Sequence, residues 1–145
     1  NHGTCKRSSA NFVRTRNKGD RTLRIAQTEF YKKFLGRSGE RRAEKFLKKK
    51  GFKIIEKNYR VSFGEADLIA LYRDLLIFIE VKTRSDESFG TPAEAVGYKK
   101  QKTYEKLAAY FLKTHTEYEN LAVRFDVIEV SGDEINHIED AFICE

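Results

Sequence analysis

The chain has 145 residues, with 28 Lys and Arg against 22 Asp and Glu and a net charge of +6. This length fits one domain, and no apolar run approaches the roughly 20 residues needed to cross a bilayer. We therefore expect a soluble, cytoplasmic protein with no membrane partner. Cys5 and Cys144 lie at opposite ends without metal-type spacing, which favours two reduced thiols over a zinc site. The three histidines are scattered, so no nucleophilic Ser/His/Asp or Cys/His arrangement is indicated.

The positive charge is concentrated at the N-terminus. Residues 1–35 carry nine Lys and Arg against two acids, which gives +7, and the remaining 19 basic and 20 acidic side chains give −1. Residues 1–18 show no apolar periodicity. The sequence predicts a basic arm over 1–34, flexible or loosely packed, and a domain over 35–145. Such an arm can grip phosphates, although a solvated tail explains the composition about equally well.

The domain opens with a predicted helix and strand. Ser38 can cap a helix over Gly39–Lys50, and Gly51 follows as a typical C-terminal glycine. Glu40 lies in the first turn of this helix, in line with its predicted buried face. Its side chain therefore either faces the rest of the domain or interacts with the helix dipole. The strand covers Phe52–Val61. The predicted stripe of the helix consists of Ala43, Phe46, Leu47 and Lys50.

A predicted hairpin follows. Two short, β-prone apolar runs, Glu65–Tyr72 and Leu75–Lys82, flank a polar turn at Arg73-Asp74. A turn centred between these two residues fixes the pairing, which an odd loop length or a bulge would shift. The predicted cross-strand pairs are Leu71 with Leu76, Ile69 with Phe78, and Asp67 with Glu80.

The pairing of Asp67 with Glu80 is costly. At about 5 Å and an effective dielectric of about 20, two opposed carboxylates repel by roughly 3 kcal/mol. A positive group should therefore lie between them, and a divalent cation or Lys82, on the same face as Glu80, can supply it. An ion pair of Lys82 with one acid leaves the other acid unexplained.

The second half of the chain contains a predicted helix and two strands. Thr83–Gly90 is a polar loop, and a capping box at 91–94 opens a helical region that runs to about Lys113, with a break near Gly97. The strands are Ala122–Val130 and Ile135–Ile143, the latter at a sheet edge. The element order predicts an α/β (α+β) fold in which helices flank a mixed sheet. The predicted buried face of the helix comprises Leu107, Ala108, Phe111 and Leu112, and Lys100, Gln101 and Tyr104 lie near its start, roughly in line with it.

Asp67, Glu80 and Lys82 form the pattern D-(x)12-E-x-K across the hairpin. At this point the chain resembles the PD-(D/E)xK nuclease superfamily, which has the restriction-endonuclease-like fold. The blocks LGRSGERRAEKFLKKKGF, GEADLIA, FIEVKTR, FGTPAEAV and RFDVIEV look like the YraN-like family of uncharacterised bacterial proteins. That family is itself similar to archaeal-type Holliday junction resolvases. The predicted elements follow in the order α-β-β-β-α-β-β, and the resemblance, which covers about Leu35 to Phe142, implies a restriction-endonuclease-like core.

The resemblance also implies roles for individual residues. Asp67 and Glu80 would be metal ligands, with the Val81 carbonyl as a third. Lys82 would orient or activate the attacking water, and Glu40 would be the helix glutamate that resolvases add to the site. Ala66 stands where the superfamily pattern has proline.

Three further residues are predicted to contact substrate. Lys100 and Gln101 match a family-like Lys-Gln pair. Arg84 lies two residues after Lys82, the last residue of the D-(x)12-E-x-K pattern. Gln101 and Tyr104 are similar to a glutamine–tyrosine motif of exonuclease-type relatives, but one residue short in spacing. An amphipathic helix with a polar first half explains Lys100, Gln101 and Tyr104 as well.

The predicted function is a divalent-metal-dependent endonuclease acting on DNA, with branched or Holliday-junction DNA as an expected substrate. Mg²⁺ or Mn²⁺ is the expected cofactor, because both prefer hard oxygen ligands. Resolvase-like relatives are often homodimers, which suits the cleavage of two strands. The alternatives are a non-catalytic nucleic-acid-binding module of the same fold and a protein-interaction adaptor.

Overall fold

The computed structural model describes residues 35–84 and 96–142, and it has a mixed α+β fold. The order of its helices and strands is the predicted α-β-β-β-α-β-β. The predicted arm, the capping box at 91–94, Cys5 and Cys144 lie outside the described residues. The elements are α1 (residues 35–49), β1 (Lys53–Val61), β2 (Gly64–Tyr72), β3 (Leu75–Arg84), α2 (Tyr98–Thr114), a 3-10 turn (Thr116–Tyr118), β4 (Ala122–Ser131) and β5 (Glu134–Ile138).

The described strands form one five-stranded mixed sheet in the order β1-β2-β3-β4-β5. The β3–β4 pair is parallel and the other three pairs are antiparallel. A parallel pair needs a long crossover, and α2 lies in that connection. The last strand occupies the predicted edge position.

The register of the β2–β3 hairpin is the predicted one. Leu71 pairs with Leu76 and Ile69 with Phe78, and the ladder runs as far as Leu68 and Ile79. Arg73 in the turn has φ of +56°, the left-handed conformation that a two-residue hairpin turn of this kind requires. Continued by one pair, this register places Asp67 opposite Glu80.

Each face of the sheet carries its own apolar core, because alternate strand residues point to opposite faces. Side chains of α2 pack on one face and side chains of α1 on the other. The α2 core includes Tyr104, Leu107, Phe111, Leu76, Phe78 and Phe125. The α1 core includes Ala43, Leu47, Leu68, Ile77 and Ile128.

Two predictions about α1 are wrong. The helix already includes residue 35, so Ser38 lies inside it and does not cap it. Lys50 was predicted to be buried, but its side chain is 38% exposed and its ammonium lies over the Phe46 ring. A long cationic side chain can cover an apolar surface while its charge remains in water. The prediction of a C-terminal glycine is confirmed, since Gly51 has φ of +97°.

Two strand ends also differ from prediction. β3 continues through Thr83 and Arg84, which pair with Val130 and Ser131 and therefore do not begin a loop. β5 ends at Ile138 and does not reach 143, because the chain turns at Asp140, where φ is +52°. Phe142 then packs in the α2 core.

No helix in residues 35–84 or 96–142 combines the length and the apolar character required for a membrane span.

Candidate active site

The centre of the candidate site is the end of the β2–β3 ladder, where Asp67 and Glu80 interrupt two otherwise apolar strands. The Asp67 carboxylate replaces a backbone partner there, because its Oδ2 accepts a hydrogen bond of 2.8 Å from the Val81 N–H. In a strand, the N–H and C=O of one residue face the same neighbour. The Val81 carbonyl is therefore directed to the side of β3 on which Asp67 lies.

Asp67 carries a charge that its surroundings do not favour. Burial raises the pKa of its carboxyl group to about 7, and the negative charges of Glu80 and Glu40 add to this rise. The Val81 hydrogen bond and the Lys100 charge act in the opposite direction but are outweighed. The two acids are thus close enough to repel each other, as the hairpin register predicts.

Glu80 is buried, with 5% exposure, and three groups surround its carboxylate. The Tyr104 hydroxyl donates a hydrogen bond of 2.5 Å to Oε2. The ammonium groups of Lys100 and Lys82 lie 3.3 Å and 3.6 Å from Oε1. Glu80 is therefore held in a fixed position, while the lysines, each more than a third exposed, extend toward solvent.

Glu40 approaches the same carboxylates from α1. Gly39 is buried, and a Cβ at this position would collide with the Thr83 hydroxyl, so glycine allows α1 to lie against the end of β3. Burial raises the pKa of Glu40, and the charges of Glu65 and Glu80 contribute to the rise. The Asn58 side chain donates a hydrogen bond to Glu40 and partly offsets this effect. Glu40 thus belongs to the electrostatic environment of the site.

The structure brings Lys82 and Lys100 to the carboxylates but gives Gln101 and Arg84 other partners. The Gln101 amide donates to the Val96 carbonyl at 2.9 Å, just before α2 begins. Arg84 Nε donates to Glu129 Oε2 at 3.2 Å, and Glu129 is fully buried. One terminal nitrogen of the Arg84 guanidinium group, Nη2, is buried without a hydrogen-bond partner in the part of the chain that the structure describes.

Two residues of the site had no role in the sequence-based prediction of metal chemistry. Tyr104 reaches Glu80 because it lies one helical turn after Lys100. Its only sequence signal was its spacing from Gln101, which is similar to the glutamine–tyrosine motif. Asn58 has φ of +51°, and its position in β1 gave no signal at all. A left-handed residue inside a strand was not visible in the alternation of apolar and polar side chains.

The donor set suits a small, hard cation. Asp67 and Glu80 supply carboxylate oxygens, and strand geometry directs the Val81 carbonyl to the same side of β3 as the N–H that bonds to Asp67. Across residues 35–84 and 96–142, no three His, Cys, Asp or Glu side chains converge as a ready-made metal site. Mg²⁺ is commonly held by one or two carboxylates and retains several waters, so two acids are a sufficient set.

Comparison of the sequence with known families gives one match. The sequence model of the uncharacterised protein family UPF0102 matches residues 39–130. This chain belongs to the UPF0102 family. The membership confirms the predicted YraN-like assignment. The matched segment of the UPF0102 protein includes Glu40, Asp67, Glu80, Lys82 and Lys100, so every element of the candidate site lies within the family region.

Relatives from several bacteria support the assignment. The chain is 47% identical over 115 residues to a UPF0102 protein of Alkaliphilus oremlandii, covering 76% of this chain and 98% of the relative. It is 48% identical over 109 residues to one from Clostridioides difficile, with 74% and 95% covered. A third, from Caldanaerobacter subterraneus subsp. tengcongensis, is 42% identical over 118 residues, with 77% and 96% covered. The similarity therefore extends over almost the whole length of these family members.

Proposed function

We propose that this UPF0102 protein is a divalent-metal-dependent nuclease that hydrolyses phosphodiester bonds in DNA. The observation that carries the proposal is the position of Asp67 and Glu80. When the hairpin register is continued by one pair, the two acids lie opposite each other at the end of an apolar ladder. Lys82 and Lys100 lie beside Glu80. Their mutual repulsion would be relieved by a bound cation, which explains why both acids occur there.

Asp67, Glu80 and the Val81 carbonyl would hold the cation, Mg²⁺ or Mn²⁺. When bound, such an ion lowers the pKa of a water, polarises the phosphate and offsets charge on the leaving oxygen. The protein residues position the other participants. The Tyr104 hydrogen bond fixes Glu80 so that its Oε1 side remains toward the two lysines.

The lysines supply fixed positive charge where a phosphate would bind. Lys82 extends from the same strand as Glu80, and its ammonium can orient a water or stabilise negative charge that develops on the phosphate. Lys100 reaches the same oxygen from α2 and can contact a non-bridging phosphate oxygen. Burial raises the pKa of Glu40, which favours a role for its carboxyl group in accepting or donating a proton.

A cleavage assay tests the proposal. Four-way junction, flap, single-stranded and linear duplex DNA are incubated with Mg²⁺, Mn²⁺ or EDTA. We expect cutting that requires the metal, with branched DNA preferred, and that falls roughly 100-fold or more in Asp67→Asn and Glu80→Gln. The preferred substrate identifies the DNA structure that the protein recognises.

A matched control is Glu134→Gln, which removes an exposed acid from the β4–β5 hairpin and should leave cutting unchanged. Equal cutting by Glu80→Gln and the parent would contradict the proposal. DNA binding without cleavage under any metal would favour the non-catalytic nucleic-acid-binding module. Absence of DNA binding even at low salt would favour the adaptor.

A further inference from the structure

A cleft of about 300 Å³ lies between α1 and β1, next to the carboxylate site. Three of its lining residues are cationic and two are acidic. The cations are Arg37, Arg41 and Lys57, and the acids are Glu40 and Glu44. Glu44 is not available to neutralise the arginines, because Lys48 and Lys57 lie 2.8 Å and 3.4 Å from its Oε1.

The two arginines are suited to bind an anion. Arg37 and Arg41 are four residues apart on α1, so they share one face of the helix, and both are exposed. Arg41 forms no ion pair with any of residues 35–84 or 96–142, and Arg37 acts on Glu40 through its charge alone. A guanidinium group presents a planar fork of donors that matches phosphate oxygens.

The cleft shares a wall with the carboxylate site. Asn58 lines the cleft, and the β1–β2 register places it opposite Asp67, between the pairs Lys57–Leu68 and Tyr59–Ala66. Glu40 also lines the cleft and bonds to the Asn58 side chain. A strand that has one phosphate at Asp67 can therefore extend over this wall into the cleft.

We propose that the cleft is a binding subsite for a backbone phosphate of the substrate strand, held by Arg37 and Arg41. The inference rests on the proposed function, because it requires a nucleic acid at the neighbouring carboxylates. The cleft binds phosphodiester charge and contributes affinity and register along the strand. It contributes no base specificity, because phosphates carry no sequence information.

The test is nucleic-acid binding without metal. Fluorescence anisotropy measures the affinity of four-way junction and duplex DNA in EDTA over a series of salt concentrations. We expect Arg37→Ala/Arg41→Ala to bind roughly 10-fold more weakly, equally for different sequences, with a salt slope smaller by about 1 to 2. The control is Lys45→Ala/Lys49→Ala, which removes the same charge from exposed positions of α1 outside the cleft.

The outcomes separate the cleft from the proposed function. If the parent binds DNA and the arginine variant has the same affinity and salt slope, the cleft inference is wrong and the nuclease proposal stands. Equal losses in both double variants would also overturn it, because general charge would then explain binding. If the parent binds no DNA in EDTA but cuts it with Mg²⁺ or Mn²⁺, the cleft supplies no affinity of its own, and only the cleft inference is wrong. If the parent neither binds nor cuts DNA, the proposed function fails together with the cleft.

Arg37→Lys/Arg41→Lys keeps the charge and removes the planar forks. We expect it to retain the salt slope but lose part of the affinity. It also serves as the decisive variant if the alanine variant fails to fold, which urea unfolding monitors. An affinity equal to that of the parent would show that the forked contacts are not made.

Discussion

The Tyr104 hydroxyl donates a 2.5 Å hydrogen bond to Glu80 Oε2 and thereby joins α2 to the middle of the sheet. Tyr104 is fully buried, and its ring packs in the α2 core beside Phe125. Burial and the charges of Glu80 and Asp67 raise the pKa of Tyr104 well above its usual value. The phenol therefore stays protonated and remains a donor near neutral pH. Core packing of Tyr104 thus fixes the position of a candidate metal ligand.

Tyr104→Phe should destabilise the protein because it leaves a buried carboxylate without its donor. A hydrogen bond to a charged group contributes about 1.5–3 kcal/mol, and we expect a loss of that size in urea unfolding at pH 8. Tyr110→Phe is the matched control, since Tyr110 is 43% exposed, and it should change stability by less than about 0.5 kcal/mol. Equal effects of the two variants would contradict the assigned contact.

Asp67→Asn should make stability less dependent on pH. The Asp67 carboxyl has a pKa of about 7 in the folded protein, against roughly 3.9 in an unfolded chain. Between these pH values the folded state binds a proton that the unfolded state lacks. The stability that this bound proton contributes is therefore present at low pH and is lost as pH rises through 7.

The stability of Asp67→Asn relative to the parent should thus increase from pH 4 to pH 8, by at most about 4 kcal/mol. Urea unfolding across this range measures the difference, with Asp74→Asn in the exposed turn as the control. Mg²⁺ or Mn²⁺ should stabilise the parent at pH 8 and not the variant, because ligand binding to the folded state adds to stability. A difference that is constant with pH would contradict the raised pKa of Asp67.

Much of the fold follows from local sequence signals. The two-residue turn at Arg73-Asp74 and the alternation of apolar side chains are sufficient to fix the register of the β2–β3 hairpin. The end of β5 could not be predicted in this way. The Ala141 N–H donates to the Phe125 carbonyl at 2.8 Å, a long-range contact that turns the chain away from the strand path.

The candidate site was predictable where charge interrupts an apolar strand, as at Asp67 and Glu80. The prediction failed to assign the groups that hold these acids. Tyr104 reaches Glu80 only because α2 packs across the sheet, and Asn58 reaches Glu40 only because the β1 backbone leaves the extended conformation. Both contacts depend on tertiary geometry, which a single sequence does not encode in its periodicity.

Substitutions at Asn58 should separate backbone strain from side-chain support. Asn58 has φ of +51°, a conformation that asparagine and glycine tolerate better than other residues. Asn58→Ala should therefore lose about 1–2 kcal/mol more stability than Asn58→Gly in urea unfolding. In the parent, the hydrogen bond from Asn58 lowers the pKa of Glu40, and both variants lose this hydrogen bond.

The carboxyl group of Glu40 should accordingly titrate at higher pH in Asn58→Gly than in the parent, which NMR titration of the side chain measures. The Asp126 carboxyl group on β4, whose pKa depends on neither Asn58 nor Glu40, is the internal reference and should titrate at the same pH in both proteins. Equal stability of the Ala and Gly variants would show that the left-handed backbone carries no strain. An unchanged titration of Glu40 would show that Asn58 does not support it.

Another buried acid, Asp126, lies on the α1 face and joins β4 to β5. Its carboxylate accepts two hydrogen bonds of 2.8 Å from Arg124 and one of 3.0 Å from the Asp140 N–H, and it lies 2.8 Å from His137 Nε2. Burial alone would raise the pKa of Asp126. The contacts with His137, Arg124 and Asp140 outweigh burial and lower it.

Asp126→Asn should cost about 3–5 kcal/mol at pH 7, because the substitution leaves the Arg124 charge without its buried partner. A carboxyl group with a lowered pKa contributes stability above its unfolded value of roughly 3.9, and that stability is lost as pH falls through the folded value. The deficit of the variant should therefore begin to shrink below about pH 5, as urea unfolding at pH 7, 5 and 4 measures. Glu139→Gln removes a half-exposed acid beside the same cluster, and its effect should stay below about 1 kcal/mol. If both variants lost the same stability, the buried contacts of Asp126 would contribute no more than the half-exposed ion pair of Glu139.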